Sequence, residues 1–596
     1  MTHDTRLDLL ARGWRGALAA ALVALIAGLP GLIALPVLDR EEAAFAQATA
    51  QMLEVGDIVD VRAQDQADAR QPIGLHWLQA ATVSTFSSTE ARAIWAYRLP
   101  SLLGAMLAAA ACAWGGAVFF GPGTGMLAGA ILGGCQVLST EAGIGRTDAV
   151  LCGAVALALA ALGRLYAEAG GGPAVGARTR PLFWLGVALA LLDKGLLGLT
   201  VIALTGLALW AWDRQAPWAR RLGWTWGLIL CAALVGPWVA AVTVRTDGGV
   251  WTAGQGFGDS AGGGLPGLHL VAAPLLLFPA TALLPAALVE GWKSRTEPGP
   301  RFALCWLIPN WLVLEATPLR LIHHALPLYG ALAWLAAYAL MRPIGRWTRI
   351  AGAVLSVLTG AAIAVGVDIL ASRYGDASSL APAMIGGLLA LAAGLVGTLI
   401  VSARWRLPAL AAAGVLGVAA HGAIAAGLAP RLGPLWLTRG VVETLDRSHL
   451  NPRDGLTPGP VTVVGYDEPS LVFALGTETE LGDVDAAAEA IAEGRPVVIA
   501  RRDGPAFRQA LAAGALKASL MGSVAGLDYA GGQAARLDVY RSDSPPPEVH
   551  HDEADRNAAG AAEPGPGPIK PDLAKPGSAK PGPTKPSGLK SRERKP

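Results

Sequence analysis

The chain has 596 residues, of which 53% are hydrophobic and only 15% are charged. Soluble globular domains carry about a quarter of charged residues, so this composition is typical of a chain whose main solvent is lipid. Its 47 basic and 45 acidic residues leave a net charge of +2, which gives no global field to attract nucleic acid. All five cysteines lie inside apolar runs, which excludes a disulfide framework and a CxxC zinc site.

Long apolar runs predict a mainly helical, polytopic membrane protein, since a span needs about 20 apolar residues. The first run, 16–37, is longer than the roughly 7–15 residues of a signal-peptide core, so we expect an uncleaved span. The runs 182–193 and 195–212 meet at Asp193-Lys194 and form either two spans or a re-entrant hairpin. With these, thirteen runs are predicted, the others at about 99–119, 124–139, 147–165, 222–242, 268–291, 302–317, 324–341, 348–370, 382–402 and 407–428.

The charges of the connecting loops predict the orientation of these spans. If residues 1–14 are cytoplasmic, the inner segments carry seventeen Lys and Arg residues and the short outer loops carry five. Such an excess is what the positive-inside rule expects. We therefore expect a multi-pass inner-membrane protein whose N-terminus is cytoplasmic and whose C-terminal domain is periplasmic.

Three hydrophilic segments accompany the transmembrane module, 15–429. The first is a long extracytoplasmic loop at 38–98. The second, 430–544, predicts a small extracytoplasmic α/β domain, because β-type and helical runs alternate in it at 461–465, 484–493, 497–500 and 506–513. The third, 545–596, repeats Lys-Pro and cannot bury a core, so we expect a disordered tail.

Ionisable residues gather at the ends of the runs, on the predicted outer side. Asp39 and Glu42 have the spacing of a capping box at the start of a helix, which is a structural explanation for both. A carboxylate at the lipid–water boundary, Glu41 included, can also act as a base. The same predicted face carries His76, Arg98, Arg146, Asp148, Lys194, Arg320 and His323.

This combination of acids and cations suits a lipid-phosphate substrate that reacts at the outer interface. Cations at helix ends can neutralise a leaving phosphate. The adjacent His323 and His324 do not share one helix face, so they are weak evidence for a metal. No ligand set for a divalent metal is predicted, and the cofactor is left open.

Seven segments resemble a known family when they are taken in order. They read LDREEAAFAQATAQMLEVGDIV, QPIGLHWLQA, YRLPSLLGA, EAGIGRTDA, LLDKGLLGL, VGPWVAA and PLRLIHHALPLYGALA, and YDEPSLVFALGTET in the outer domain adds an eighth. The set resembles bacterial GT-C membrane glycosyltransferases of glycosyltransferase family 39, which are related to aminoarabinose transferases and protein O-mannosyltransferases. The likeness spans roughly residues 15–540. It implies a polyprenyl-phosphate-sugar donor, an inverting transfer on the extracytoplasmic face and a catalytic carboxylate in the first loop.

The resemblance places Glu41 where the family has its catalytic Asp, and Glu42 beside it as a helper. Ala44 and Gln71 stand where the family often has Arg and Lys, and Arg320 also replaces a Lys. No acid precedes Gln71, so the metal site of some relatives is not implied. Our hypothesis assigns the donor phosphate to Arg98, Arg146, Lys194 and Arg320, and substrate positioning to Asp39, His76, Asp148 and His323.

The predicted function is transfer of a sugar from polyprenyl phosphate to a lipid A-like lipid or another envelope acceptor. The expected partners are that donor, that acceptor and membrane lipids, without nucleic acid. The alternative is a catalytically inactive GT-C-fold protein that binds lipid or assists assembly, which the departures from the family pattern favour. A transporter is disfavoured because its polar site would lie near the midplane of the membrane.

Overall fold

The computed structural model describes residues 3–67, 72–246, 265–317, 321–402, 404–455, 459–529 and 531–543. Gln71, Arg320 and the predicted disordered tail 545–596 lie outside these described residues. The rest divides into a helical bundle up to residue 431 and a small α/β domain after it.

The bundle confirms the predicted multi-pass helical fold. Eight helices in the described part of the chain are long and apolar enough to cross a membrane, by length and composition. The remaining predicted spans correspond to shorter or interrupted helices and to the helix Pro298–Ala316, which has 19 residues but lacks the hydropathy of a span. The bundle's α-helices are His3–Leu10, Arg15–Ala34, Glu41–Val55, Gly74–Phe86, Ile94–Phe120, Pro122–Gly133, Gln136–Glu141, Thr147–Ala169, Thr179–Lys194, Leu196–Asp213, Pro217–Arg220, Trp224–Arg245, Leu268–Leu276, Leu284–Lys293, Pro298–Ala316, Tyr329–Leu340, Arg346–Tyr374, Leu380–Ile400 and Arg406–Gly422.

The core of the bundle is built on the helix Thr147–Ala169, which is buried along almost its whole length. It packs closely against the helix Ile94–Phe120 because small residues face each other. A Cβ added to Gly104 would lie 2.6 Å from the carbonyl oxygen of Ala149. Such close backbone approach is how helices associate where no water drives them together. The packing fixes the start of the helix Thr147–Ala169, and with it the ionisable residues there.

Two short helices, Glu41–Val55 and Gly74–Phe86, lie at one end of the bundle, which we call the loop side. Between them, β1 (Arg62–Ala63) and β2 (Gln66–Ala67) form a small antiparallel ribbon. The helix Gly74–Phe86 begins against the end of the helix Thr179–Lys194, since a Cβ on Gly74 would lie 2.5 Å from the carbonyl oxygen of Leu192.

The segment 182–212, which was predicted as two spans or a re-entrant hairpin, forms two helices joined at Gly195. This glycine has φ +57°, a left-handed conformation that a side chain rarely adopts. The turn follows Lys194 directly and keeps it on the loop side. Of the two helices, Leu196–Asp213 meets the length and hydropathy of a span.

The C-terminal domain contains a five-stranded mixed sheet, which agrees with the α/β class predicted for residues 430–544. Its strands are β3 (Thr462–Val464), β4 (Glu480–Gly482), β5 (Val497–Ala500), β6 (Ala518–Asp528) and β7 (Gln533–Ser542). The strand order is β4-β3-β5-β7-β6, parallel from β4 to β5 and antiparallel from β5 to β6. In register, Val463 is opposite Val498, and Val498 is opposite Val539.

Both faces of this sheet are covered by helices, which are Leu437–Arg447, Pro469–Leu475, Val484–Ala492 and Gly504–Ala513. Alternate residues of the buried strands serve the two faces. Val498 packs toward Leu437–Arg447, whereas Ile499 packs toward Val484–Ala492. The predicted strands and helices of this domain are confirmed to within a few residues, but the long hairpin β6–β7 was not predicted.

The domain is joined to the loop side by polar contacts. The buried Arg92 guanidinium donates hydrogen bonds to Gln47 and Glu54 of the helix Glu41–Val55 and to the carbonyl oxygen of Phe473, the last at 3.1 Å. The helix Glu41–Val55 is therefore held between the bundle and the C-terminal domain.

Candidate functional site

The helix that carries the predicted catalytic acids begins at Glu41. Arg40 precedes it with φ +62°, and no side chain caps the first turn. Glu42 Oε2 instead accepts a hydrogen bond of 2.9 Å from the backbone N–H of Leu38. The predicted cap at Asp39 is wrong, because the left-handed Arg40 separates Asp39 from the helix start.

Asp39 faces the C-terminal domain. Its backbone N–H donates to the hydroxyl oxygen of Tyr529 at 2.7 Å. Burial raises the pKa of the Asp39 carboxyl, and the negative charge of Asp528 adds to the increase, while the hydroxyls of Ser470 and Tyr529 oppose it. The surroundings of Asp39 are those of a domain junction, and its predicted role in substrate positioning stays a prediction.

Arg40 and Glu468 belong to the same junction. Arg40 Nε lies 3.9 Å from Glu468 Oε1, and the other carboxylate oxygen of Glu468 is buried with no hydrogen-bond partner among the described residues. Burial raises the pKa of Glu468 to about 7, and the charges of Asp39 and Asp528 add to the shift. We call Asp39, Arg40, Glu468, Asp528 and Tyr529 the carboxyl junction.

Glu42 and Arg98 form a fully buried ion pair. Arg98 Nε and a terminal nitrogen each reach Glu42 at 2.7 Å, and the backbone N–H of Gly145 donates to the same carboxylate at 2.6 Å. The other guanidinium donors bind the carbonyl oxygens of Leu35 at 2.6 Å and Pro36 at 2.8 Å. The pair corrects two predictions: Arg98 has no donor left for a phosphate, and Glu42 is a structural residue rather than a catalytic helper.

His76 is also a packing residue. It is buried, its Nδ1 lies 2.8 Å from Thr49 Oγ1, and its ring meets that of Phe45 at 5.6 Å between centroids. These contacts join the two loop helices. The predicted role of His76 in substrate positioning stays a prediction.

Arg146 is the centre of the ionisable cluster that the structure does bring together. It precedes the helix Thr147–Ala169, and its guanidinium donates to Glu41 at 2.8 Å and to both carboxylate oxygens of Glu141 at 2.8 Å. Glu141 is buried, whereas the Glu41 side chain is 50% exposed. Glu41 is thus an accessible carboxylate held beside a cation, as its predicted role requires.

Asp148 extends the cluster toward the Asp193-Lys194 turn. Lys194 Nζ lies 2.6 Å from Asp148 Oδ1, while Arg146 Nε and His323 Nε2 each lie 3.8 Å from Oδ2. The predicted residues Glu41, Arg146, Asp148, Lys194 and His323 therefore form one site. Arg320 is outside the described residues, and its predicted role stays a prediction.

Two members of this neighbourhood were not predicted as site residues. Glu141 lies five residues before Arg146, and nothing in the sequence shows that the turn between them folds back. Asp193 is buried, and within the described part of the chain neither carboxylate oxygen has a hydrogen-bond partner, since Lys194 turns to Asp148 instead. When a carboxylate and a cation are adjacent in sequence, nothing in the sequence shows that their side chains bind different partners.

The site has the parts for chemistry on a phosphate-linked substrate. Arg146 and Lys194 supply positive charge, Glu41 is exposed, and Asp148 and Glu141 hold the cations in place. Within the described residues, no group of three or more His, Cys, Asp or Glu side chains could hold a metal ion.

No family model matches the chain. An undecaprenyl phosphate-alpha-4-amino-4-deoxy-L-arabinose arabinosyl transferase of Proteus mirabilis is 33% identical over 175 residues, which is 27% of this chain. The match spans 31% of that relative's own length, less than a third.

Solved structures resemble the chain over nearly its full length. The apo crystal structure of ArnT from Cupriavidus metallidurans has a TM-score of 0.68 and 17% identity, covering 88% of this chain and 97% of that one. The structure of the same protein bound to undecaprenyl phosphate has a TM-score of 0.67 and 18% identity, covering 87% and 97%. The predicted GT-C-like fold with a C-terminal α/β domain is thereby confirmed.

Proposed function

We propose that the chain is a membrane glycosyltransferase that moves a sugar from a polyprenyl phosphate to a lipid A-like lipid or another envelope acceptor. The observation that carries the proposal is the cluster of Glu41, Arg146, Asp148 and Lys194 in a chain with the ArnT fold. Undecaprenyl phosphate bound to the ArnT structure supports a lipid phosphate as one ligand.

In the proposed reaction, an acceptor oxygen attacks the anomeric carbon of the donor sugar and the polyprenyl phosphate leaves with the bonding electrons. Attack opposite the leaving group inverts the anomeric carbon. Arg146 and Lys194 stabilise the negative charge that develops on the leaving phosphate, because preorganised cations act strongly at a site poor in water.

In this mechanism Glu41 binds first Arg146 and then the acceptor. In the free protein it accepts a hydrogen bond from Arg146. A donor phosphate bound to Arg146 replaces Glu41 there, because both are anions that compete for the same guanidinium. The released carboxylate then takes the proton of an acceptor hydroxyl. If the acceptor is itself a phosphate, no strong base is needed and Glu41 only orients it.

We also propose the membrane placement that the loop charges favour. The N-terminus is cytoplasmic, and the loop side with the C-terminal domain is periplasmic. The donor phosphate then reacts at the outer surface of the inner membrane, where envelope acceptors are found.

The test is turnover by the purified full chain in lipid nanodiscs, supplied with polyprenyl-phosphate sugars and an envelope-lipid extract. We expect acceptor-dependent release of polyprenyl phosphate. Arg146→Lys keeps the charge but cannot bridge Glu41, Glu141 and a phosphate, so the KM for the donor rises by about tenfold or more, the scale of one or two charged hydrogen bonds. The matched control is Arg439→Lys, because Arg439 forms an exposed pair with Glu443 in the C-terminal domain.

The second candidate is a GT-C-fold protein that binds the lipid phosphate without turnover. It is favoured by the internal pairing of both site cations with carboxylates in the free protein. Polyprenyl phosphate that binds, and binds more weakly to Arg146→Lys, without sugar transfer from any donor would select this function over the enzyme.

A further inference from the structure

Glu41 is preceded by two residues that the C-terminal domain holds. The Asp39 backbone N–H is bound by Tyr529, and the Arg40 guanidinium lies beside Glu468. Both partners come from parts of the chain more than 400 residues away, at the end of β6 and at the start of the helix Pro469–Leu475. Arg40 has a left-handed backbone, so the chain makes its turn toward Glu41 between these two anchors.

The Glu41 side chain is held more weakly than that of its neighbour Glu42. No side chain caps the start of the helix, and Arg146 holds Glu41 only through an exposed carboxylate. The next residue, Glu42, is held rigidly inside the protein by its ion pair with Arg98. The direction in which Glu41 leaves the helix therefore depends on the residues before it.

We propose that Tyr529 and Glu468 are positioning residues for Glu41, so that the C-terminal domain sets the geometry of the reacting carboxylate through the carboxyl junction. For its catalytic consequence this inference rests on the proposed function. The contacts themselves do not depend on it.

The junction also contains more acid than base. Asp39, Glu468 and Asp528 come from three separate segments, and Arg40 is the facing cation; Tyr466 and Tyr529 supply phenols. Trp436, from the segment before the helix Leu437–Arg447, meets the Tyr529 ring edge-on at 6.3 Å and adds no charge. Three neighbouring carboxyl groups repel one another when all are ionised. They therefore bind protons more tightly while the contacts of the junction are formed, which we call the closed junction, than after these contacts have separated, which we call the open junction.

The raised pKa values make the opening of the junction depend on pH. The pKa of Glu468 is raised from an ordinary 4.5 to about 7 in the closed junction. A raised carboxyl pKa stabilises the closed form at low pH, and this stabilisation is lost as the pH rises from about 4.5 through about 7. Between pH 6 and pH 8, opening of the junction should increase by about tenfold. The raised pKa of Asp39 acts in the same direction.

The experiment is hydrogen–deuterium exchange of the full chain in nanodiscs, followed in peptides that cover residues 38–42 and corrected for intrinsic exchange. Tyr529→Phe removes the acceptor of the Asp39 amide and should raise exchange there by about tenfold. Tyr540→Phe is the matched control, because Tyr540 lies on β7 and packs on Phe507 away from the junction. Glu468→Gln mimics the protonated acid and should reduce the increase between pH 6 and pH 8 well below tenfold, leaving the part that Asp39 contributes.

Turnover gives the second measurement. Tyr529→Phe should lower kcat while leaving the KM for the donor unchanged, because Arg146 and Lys194 are untouched. Unchanged exchange in Tyr529→Phe, or a pH dependence as large in Glu468→Gln as in the unmodified protein, overturns the inference. Exchange needs no substrate, so this result is separate from failure of the proposed function, which shows as a lack of turnover in the unmodified protein.

Discussion

Two neighbouring glutamates at the loop side have opposite environments. The Glu42 side chain is fully buried with Arg98, whereas the Glu41 side chain is 50% exposed beside Arg146. A base must reach both its substrate and a proton, so only Glu41 fits that role. Glu42 instead fixes the turn between the first span and the helix Glu41–Val55 through the Leu38 amide.

Glu42→Gln should therefore act on stability. It leaves the Arg98 charge buried without a counter-charge, which costs about 3–5 kcal/mol of unfolding free energy. Denaturant or thermal unfolding in detergent measures the loss. Glu443→Gln is the control, since its exposed pair with Arg439 contributes about 0–1 kcal/mol. Equal stability of the two variants would show that the buried pair is not structural.

At this scale the sequence predicted which ionisable residues lie at the loop side, but not which of them pair. Arg98 and Arg146 each directly precede an apolar run, and both were assigned to the donor phosphate. Burial separates them: Arg98 is enclosed by carbonyl oxygens of the first span, a long-range contact that no local pattern encodes.

Among the elements, the helix Gly74–Phe86 connects the first loop to the Asp193-Lys194 turn. Gly74 is the point of contact, because its Cα approaches the last turn of the helix Thr179–Lys194. In the sequence, a glycine after Pro72 and Ile73 indicates a turn. The reason why this position must lack a side chain is a neighbour more than 100 residues away.

Gly74→Ala should force these two helices apart. The added methyl meets the Leu192 carbonyl, and overpacking of this kind destabilises by about 1–3 kcal/mol. Because Lys194 ends the displaced helix, donor binding should weaken as well. Gly236→Ala is the control, since that helical glycine has nothing within 4 Å of the new Cβ. Unfolding midpoints and donor KM are measured together; equal values for the two variants would contradict the close approach.

Across the whole molecule, composition and run length were sufficient for the fold class, because a membrane limits the chain to a few solutions. The small sheet was predictable where buried β-branched runs form β3 and β5. The hairpin β6–β7 was not, because its strands mix small, polar and apolar residues without a continuous β-branched run, and its outer strand is only partly buried. The docking of Arg92 onto the helix Glu41–Val55 also needed the tertiary structure.

The proposed orientation makes a prediction about the whole chain. Alkaline phosphatase fused after Asp543 should be active, because the C-terminal domain lies outside the cytoplasm. A matched fusion after Arg214, in a segment rich in arginine, should be inactive. The opposite pair of activities would reverse the topology and move Glu41 to the cytoplasmic face.

The central claim, that Glu41 is the reacting carboxylate of a polyprenyl-phosphate-sugar transferase, is tested most directly by turnover of Glu41 variants at matched protein levels. Glu41→Gln should insert and fold normally but lose about a hundredfold or more of the rate with a hydroxyl acceptor, the scale of a general base. Glu41→Asp should retain activity, because it restores the shorter acid of the resembled family. Full activity of Glu41→Gln with the same acceptor would contradict the account.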